Sequence, residues 1–144
     1  MKESVSAEAV SAWARLIRVE QALLQKVEQD LKDADLPPLD WYDVLLELDR
    51  AADGRLRHRD LHPRLLLAKY NLSRLIDRLE AAGLVHREPS ADDARGADIA
   101  ITAKGRELRR RMWPIYAAAI DRHFASRLSE RQIGQLSRVL EALT

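Results

Sequence analysis

Residues 72–85 read Leu72-Ser73-Arg74-Leu75-Ile76-Asp77-Arg78-Leu79-Glu80-Ala81-Ala82-Gly83-Leu84-Val85, and their spacing decides the fold. Leu72, Leu75, Ile76 and Leu79 fall at i, i+3, i+4 and i+7, which is one apolar face of an α-helix. The pattern predicts a helix over 68–82, with Tyr70, Arg74 and Asp77 on the opposite side and Asn71, Ser73 and Arg78 flanking them. Gly83 stops it as a left-handed cap. Leu84-Val85-His86-Arg87 then reads as a short strand, and the alternation in Asp98-Ile99-Ala100-Ile101 supplies its partner. Residues 88–97 between them are polar and charged, and too many for a tight turn. Two strands around such a loop make a projecting β-hairpin, or wing.

The flanking chain fits the same plan. Residues 57–66 predict a short helix disturbed by Pro63, which pairs with 68–82 as a helix-turn-helix. A helix over 38–52 takes Pro38 in its first turn and ends at the Asp53-Gly54 turn. Residues 5–34 predict a long helix with an unusually wide apolar stripe, including Val10, Trp13, Leu16, Ile17, Leu24 and Leu31, ended by Leu36-Pro37-Pro38. Thr102 caps another helix to about 126, with a kink expected at Pro114. The last helix, 129–143, opens with a Ser129/Gln132 capping box and carries a seam of Ile133, Leu136, Leu140 and Leu143. The expected fold class is mostly α (α+β): one domain over 1–144, with a winged helix-turn-helix lobe at 38–101 between long flanking helices at 5–34 and 103–144.

Composition narrows the chemistry. There is no Cys, which excludes disulfides, zinc-thiolate sites and thiol redox sensing. No apolar run is long enough to span a membrane, and no secretion signal is visible, so the expected location is the cytoplasm. The net charge of +1 conceals an asymmetry. Residues 1–53 hold six Lys/Arg against twelve Asp/Glu, whereas 54–111 hold fourteen against eight. Positive charge gathers on the proposed helix-turn-helix and wing, where duplex DNA would lie; a solvated Arg-rich face is the alternative. The major groove accepts an α-helix, and its base edges carry distinct donor and acceptor patterns. Lys69, Tyr70, Asn71, Ser73, Arg74 and Arg78 are residue types that reach phosphates and base edges. On the wing, Arg95 is placed to enter a minor groove, with Asp93 able to hold its guanidinium and Arg87 at the base.

At these residues the chain resembles a known family. The stretch 72–85 looks like the recognition helix and first wing strand of the MarR family of bacterial and archaeal regulators. Asp93-Ala94-Arg95-Gly96, followed by Ile99, Ile101-Thr102 and Lys104-Gly105, looks like that family's wing signature. The resemblance covers essentially the whole chain. It implies a homodimer in which the first and last helices (5–34 and 103–144) interlock, and a pseudo-palindromic operator with one recognition helix per half-site. It also implies a ligand-responsive repressor. The chain departs from the family pattern at Ala94, where a second Arg is common, and at Ala68, where a capping Ser is common.

Trp13, Trp41, Tyr42, Trp113 and Tyr116 concentrate where the two lobes would join. The rings read first as core filling. The resemblance implies a pocket there for a small aromatic or phenolic ligand, with Arg15 near it. Lys104, Arg106, Arg109, Arg110 and Arg111 form a basic cluster read equally as DNA or pocket contacts and as a solvated face. His58 and His62 are four apart, but Pro63 disturbs their helix, so no metal site and no cofactor is expected. No catalytic motif is present, and the chain is read as a non-enzyme. The alternative function is a helical protein-interaction or small-molecule-binding module that keeps the fold without binding DNA.

Overall fold

A computed structural model describes residues 4–67, 71–90 and 96–144. Helix α1 (Ala7–Asp33) begins at Ser6, whose hydroxyl accepts the Ala9 amide at 3.0 Å. It ends in a left-handed residue, Asp35, with the Leu36 amide returning to the Leu31 carbonyl at 2.9 Å. Helix α2 (Leu39–Arg50) follows, with Pro38 at its N-cap, one position earlier than the sequence reading placed it. Pro38 has no capping side chain, so Glu28 of α1 reaches across and accepts the Leu39 amide at 2.6 Å. Burial holds the Glu28 carboxyl above its ordinary range, against the lowering effect of that amide.

After the Asp53-Gly54 turn, residues Arg55–Arg57 form strand β1, which the sequence reading missed because three residues carry no readable period. The expected helix over 57–66 shrinks to one turn, α3 (His58–Leu61), continued by a 3₁₀ turn at His62–Arg64. Pro63 is the reason: it lacks the amide a longer helix needs. Helix α4 (Leu72–Ala81) starts later than predicted. Asn71 is left-handed (φ 58°), a conformation Asn tolerates better than most residues, so the helix cannot run through it. Its far end is as read: Gly83 has φ 76°, and the Gly83 and Leu84 amides bond back to Glu80 and Leu79 at 2.9 Å each.

Strands β2 (Val85–Pro89) and β3 (Ala97–Ile101) make the hairpin, and β1 adds to the outer edge of β3 in the antiparallel order β1-β3-β2. The register pairs Val85 with Ile101 and Arg55 with Ala100. Thr102 caps α5 (Ala103–His123), which runs unbroken through Pro114 and ends slightly earlier than predicted, before a 3₁₀ turn at Ala125–Arg127. Helix α6 (Glu130–Glu141) opens with the predicted capping box.

One apolar core joins these elements. Leu31 of α1, Leu45 and Leu48 of α2, Leu61 of α3, Ile76 and Leu79 of α4, Val85 and Ile99 of the sheet and Met112 of α5 are almost wholly inaccessible. Two surfaces lie outside it. The N-terminal half of α1 leaves Val10, Trp13 and Val19 exposed, and α6 buries no residue at all. Among the described residues, no helix is long and apolar enough to cross a membrane.

Candidate nucleic-acid interface

Helix α4 is held by its back and open at its front. Leu72, Leu75, Ile76 and Leu79 are buried, whereas Ser73, Arg74, Asp77 and Arg78 face solvent. Among the described residues, Arg74 and Arg78 make no hydrogen bond or ion pair, so both guanidiniums stand free on that front. Asn71 sits at the entry of the helix rather than on its surface. Lys69 and Tyr70, expected on the same front, and Ala68 lie outside the described residues, as do Asp93, Ala94 and Arg95 of the wing.

Arg87, expected as a wing contact, is already occupied. Its guanidinium meets Asp77 at 2.7 Å, Glu80 at 3.0 Å and the Ser73 carbonyl at 3.2 Å. Its backbone amide also donates to Glu80 at 2.9 Å. Arg87 therefore ties strand β2 to the exposed side of α4 and neutralises two carboxylates that would otherwise repel a phosphate. Arg57 of β1 does similar work at the root of the wing, donating to the Ser90 hydroxyl at 2.7 Å. Arg55 pairs with Glu88 and lies 3.6 Å from Asp98, so all three strands share one charge cluster.

The C-terminal end of α4 is fastened to α5. Thr102 donates its hydroxyl to the Gly83 carbonyl at 2.7 Å, and the Lys104 ammonium donates to the Ala82 carbonyl at 2.8 Å. Gly105 lets these segments touch, because a Cβ there would collide with the Leu84 carbonyl oxygen. The chain at 66–67, ahead of the helix, is held differently. Asp43 of α2 is 8% exposed, and its Oδ2 accepts the amides of Leu66 and Leu67, each at 2.8 Å. Burial raises the Asp43 carboxyl above its ordinary range, although both amides pull it down. The sequence reading missed Asp43 and β1, and it named Gly105 only within the family signature, without its close approach to the Leu84 carbonyl. A signal for Asp43 was present: it lies four residues after Leu39 and three before Leu46, on the apolar side of α2.

His58 Nε2 lies 3.4 Å from the Ser73 hydroxyl. Burial, then the neighbouring His62 and Arg87 charges, push its pKa down. Among the described residues, no three His, Asp or Glu side chains gather as a metal site would need.

The basic run on α5 divides its work. Arg106 and Arg109 both grip Asp49 of α2, at 2.6 and 2.5 Å, and Lys104 is committed to α4. The predicted pocket residues also divide. Tyr42, Trp113 and Tyr116 form one ring cluster with centroids 5.2–6.2 Å apart. Trp41 instead lines a hollow of about 270 Å³ with Pro37, Leu84, Lys104, Leu108 and Arg111. Trp13 and Arg15 lie on the exposed part of α1, away from both.

Comparison with known proteins agrees with this geometry. A model of the MarR family matches residues 34–96, the segment from the end of α1 to the wing. The HTH-type transcriptional regulator YkoM of Bacillus subtilis (strain 168) is 29% identical over 136 residues, 92% of this chain and 86% of its own length. Among solved structures, AbsC of Streptomyces coelicolor, a MarR family transcriptional regulator, superposes with a TM-score of 0.86 at 29% identity, over 99% of this chain and 95% of its own. Sco3205 from the same organism, a MarR family regulator solved in complex with DNA, gives 0.88 at 26% identity, over 99% and 89%. The helix-turn-helix, the three-stranded sheet and the long flanking helices are therefore those of a winged-helix transcriptional regulator, and along its whole length the chain is similar to regulators of the MarR family.

Proposed function

We infer that the protein is a sequence-specific regulator of transcription that binds double-stranded DNA as a homodimer and represses by occupying its operator. The observation that carries this reading is the pair of guanidiniums, Arg74 and Arg78, that find no partner among the described residues, on the open front of a helix whose back and C-terminal end are fixed. Such a helix meets the major groove without reorganising, and the wing residues Asp93 and Arg95 extend the contact toward the adjoining minor groove. Lys69, Tyr70 and Ser73 are assigned to the same contact, with Asn71 at the helix entry and Arg87 holding β2 and α4 in register. The DNA complex of Sco3205 supports the same use of the fold.

The homodimer follows from surface chemistry. The N-terminal half of α1 and all of α6 present apolar side chains that one chain leaves uncovered, including Trp13, Leu140 and Leu143. A two-fold pairing through these helices would set two copies of α4 on one face, matching a pseudo-palindromic operator. Titration of labelled duplex, selected from a random pool, tests the reading. Affinity should fall log-linearly with salt as counterions return to the phosphates. Arg74→Ala or Arg78→Ala should either flatten that slope by about one unit or relax preference at one base. A salt-independent affinity, or variants that bind as the parent does, would refute it.

A ligand-responsive arm of the function is supported by the hollow at Trp41. An indole, apolar walls and two cations, Lys104 and Arg111, against one carboxylate, Glu107, suit a small aromatic acid or phenol. Lys104 also holds the end of α4, so an anion that drew it away would loosen the reading helix. Tyr42, Trp113 and Tyr116 form a separate ring cluster on α2 and α5, and Trp13 and Arg15 do not line the hollow. Thermal-shift screening of aromatic acids, repeated on Trp41→Ala, tests this arm; equal shifts in both proteins count against it.

A further inference from the structure

Asp43 lies in the interior, and the chain it holds is the one that leads into α4. Oδ2 gathers two consecutive backbone amides, Leu66 and Leu67, at 2.8 Å each, a few residues before the helix opens at Leu72. Leu65 and Leu67 pack in and against the core, whereas Leu66 between them is 76% exposed, so packing anchors the segment and the Asp43 oxygen sets its backbone. Taking α4 as the helix that contacts DNA, as inferred above, we propose that Asp43 is a positioning residue for DNA recognition. One oxygen of α2 fixes the backbone at 66–67, ahead of the reading helix, so affinity for duplex DNA depends on a carboxylate outside the reading face.

The physical argument rests on the difference between a charged and a neutral acceptor. Hydrogen bonds to an ionised carboxylate are about twice as strong as those between neutral groups. Two amides converging on one carboxylate oxygen define the local backbone more tightly than water or a neutral amide oxygen would. The surroundings do little to offset the charge. From α2, Asp40 and Glu47 face it and disfavour ionisation; from α5, the Tyr116 hydroxyl faces it and is itself pushed up by burial and by Asp43; the 66–67 segment contributes only its amides. With the folded-state pKa above the unfolded value, the native protein takes up the proton more readily than the unfolded chain. Ionised Asp43 therefore costs folding stability at neutral pH, and that cost disappears as pH falls through the folded-state pKa. A purely stabilising role would have the opposite sign.

The experiment compares the full-length protein with Asp43→Asn, which keeps the shape and an acceptor oxygen but removes the charge. Duplex affinity is read by anisotropy between about pH 8 and about pH 5, beside thermal midpoints and amide exchange at Leu66 and Leu67. The parent should bind more weakly as the solution is acidified. Protonating His58 works the other way, because it adds positive charge near the duplex. Asp43→Asn should bind about tenfold more weakly at neutral pH, with the acid-linked loss abolished. It should melt no earlier than the parent and exchange the two amides faster. Equal affinity with an unchanged pH profile overturns the proposal, and so does a loss of binding accompanied by an equal loss of thermal stability. If the variant does not fold, Asp43→Glu, which keeps the charge but displaces the oxygen from the two amides, takes its place, and an affinity equal to the parent's overturns the proposal. A parent that binds no duplex at any pH refutes the DNA reading itself, whereas a parent that binds normally beside an unaffected variant refutes only the role of Asp43.

Discussion

Gly105 shows how a single missing side chain sets the interface. It sits in the first turn of α5, against the carbonyl of Leu84, where the recognition helix hands over to the wing. A Cβ at this position would strike that carbonyl and lie 2.8 Å from the Ile101 side chain. Backbone atoms cannot swing aside as a flexible side chain does, so α5 and the 83–85 segment must separate. Gly105→Ala should therefore destabilise the fold by about 1–3 kcal/mol, read by urea denaturation. It should also weaken the Thr102 and Lys104 bonds that close the end of α4. An unchanged denaturation midpoint would show that the contact relaxes freely.

Between elements, the recurring device is an ionic or polar tie from one element to the exposed side of another. Arg87 joins β2 to α4, Arg57 joins β1 to the wing root, and Arg106 with Arg109 joins α5 to α2 through Asp49. These ties lie near the surface, where an ion pair contributes only ~0–1 kcal/mol to folding. Their effect is on relative placement. Arg87→Ala should leave the thermal midpoint almost unchanged yet weaken duplex binding several-fold, because Asp77 and Glu80 are then uncompensated on the reading face. Melting curves and anisotropy on the same preparation check both halves. A large drop in midpoint with normal binding would reverse the assignment.

At the scale of the whole molecule, one chain has a well-packed lobe and an unfinished one. The core closes around α2, α4, the sheet and the middle of α5, while α6 and the start of α1 remain open. A helix with a clean apolar seam and no buried residue is stable only when something covers the seam. Leu140 and Leu143 lie on that seam, 38% and 70% exposed. The double change Leu140→Asp with Leu143→Asp should convert a dimer to monomer in sedimentation and, by halving the contacts, reduce operator binding steeply. A variant that remains dimeric would place the interface elsewhere.

The sequence by itself determined whatever repeats at short range. The period of Leu72, Leu75, Ile76 and Leu79, the glycine after them, the alternation in 98–101 and the Ser129/Gln132 box each specify a local conformation through steric and hydrogen-bond rules that need no distant partner. From these the winged helix-turn-helix and the outward placement of Arg74 and Arg78 on α4 were legible. Tertiary structure alone decided what depends on contacts distant in the chain. Strand β1 exists because β3 offers it an edge. Arg87 is spent on carboxylates seven and ten residues away, and Asp43 is turned inward onto amides 23 and 24 residues later. The physical reason is the same in each case: a polar group's partner is chosen by where the folded backbone brings a donor or acceptor within about 3 Å, and sequence spacing does not encode that distance.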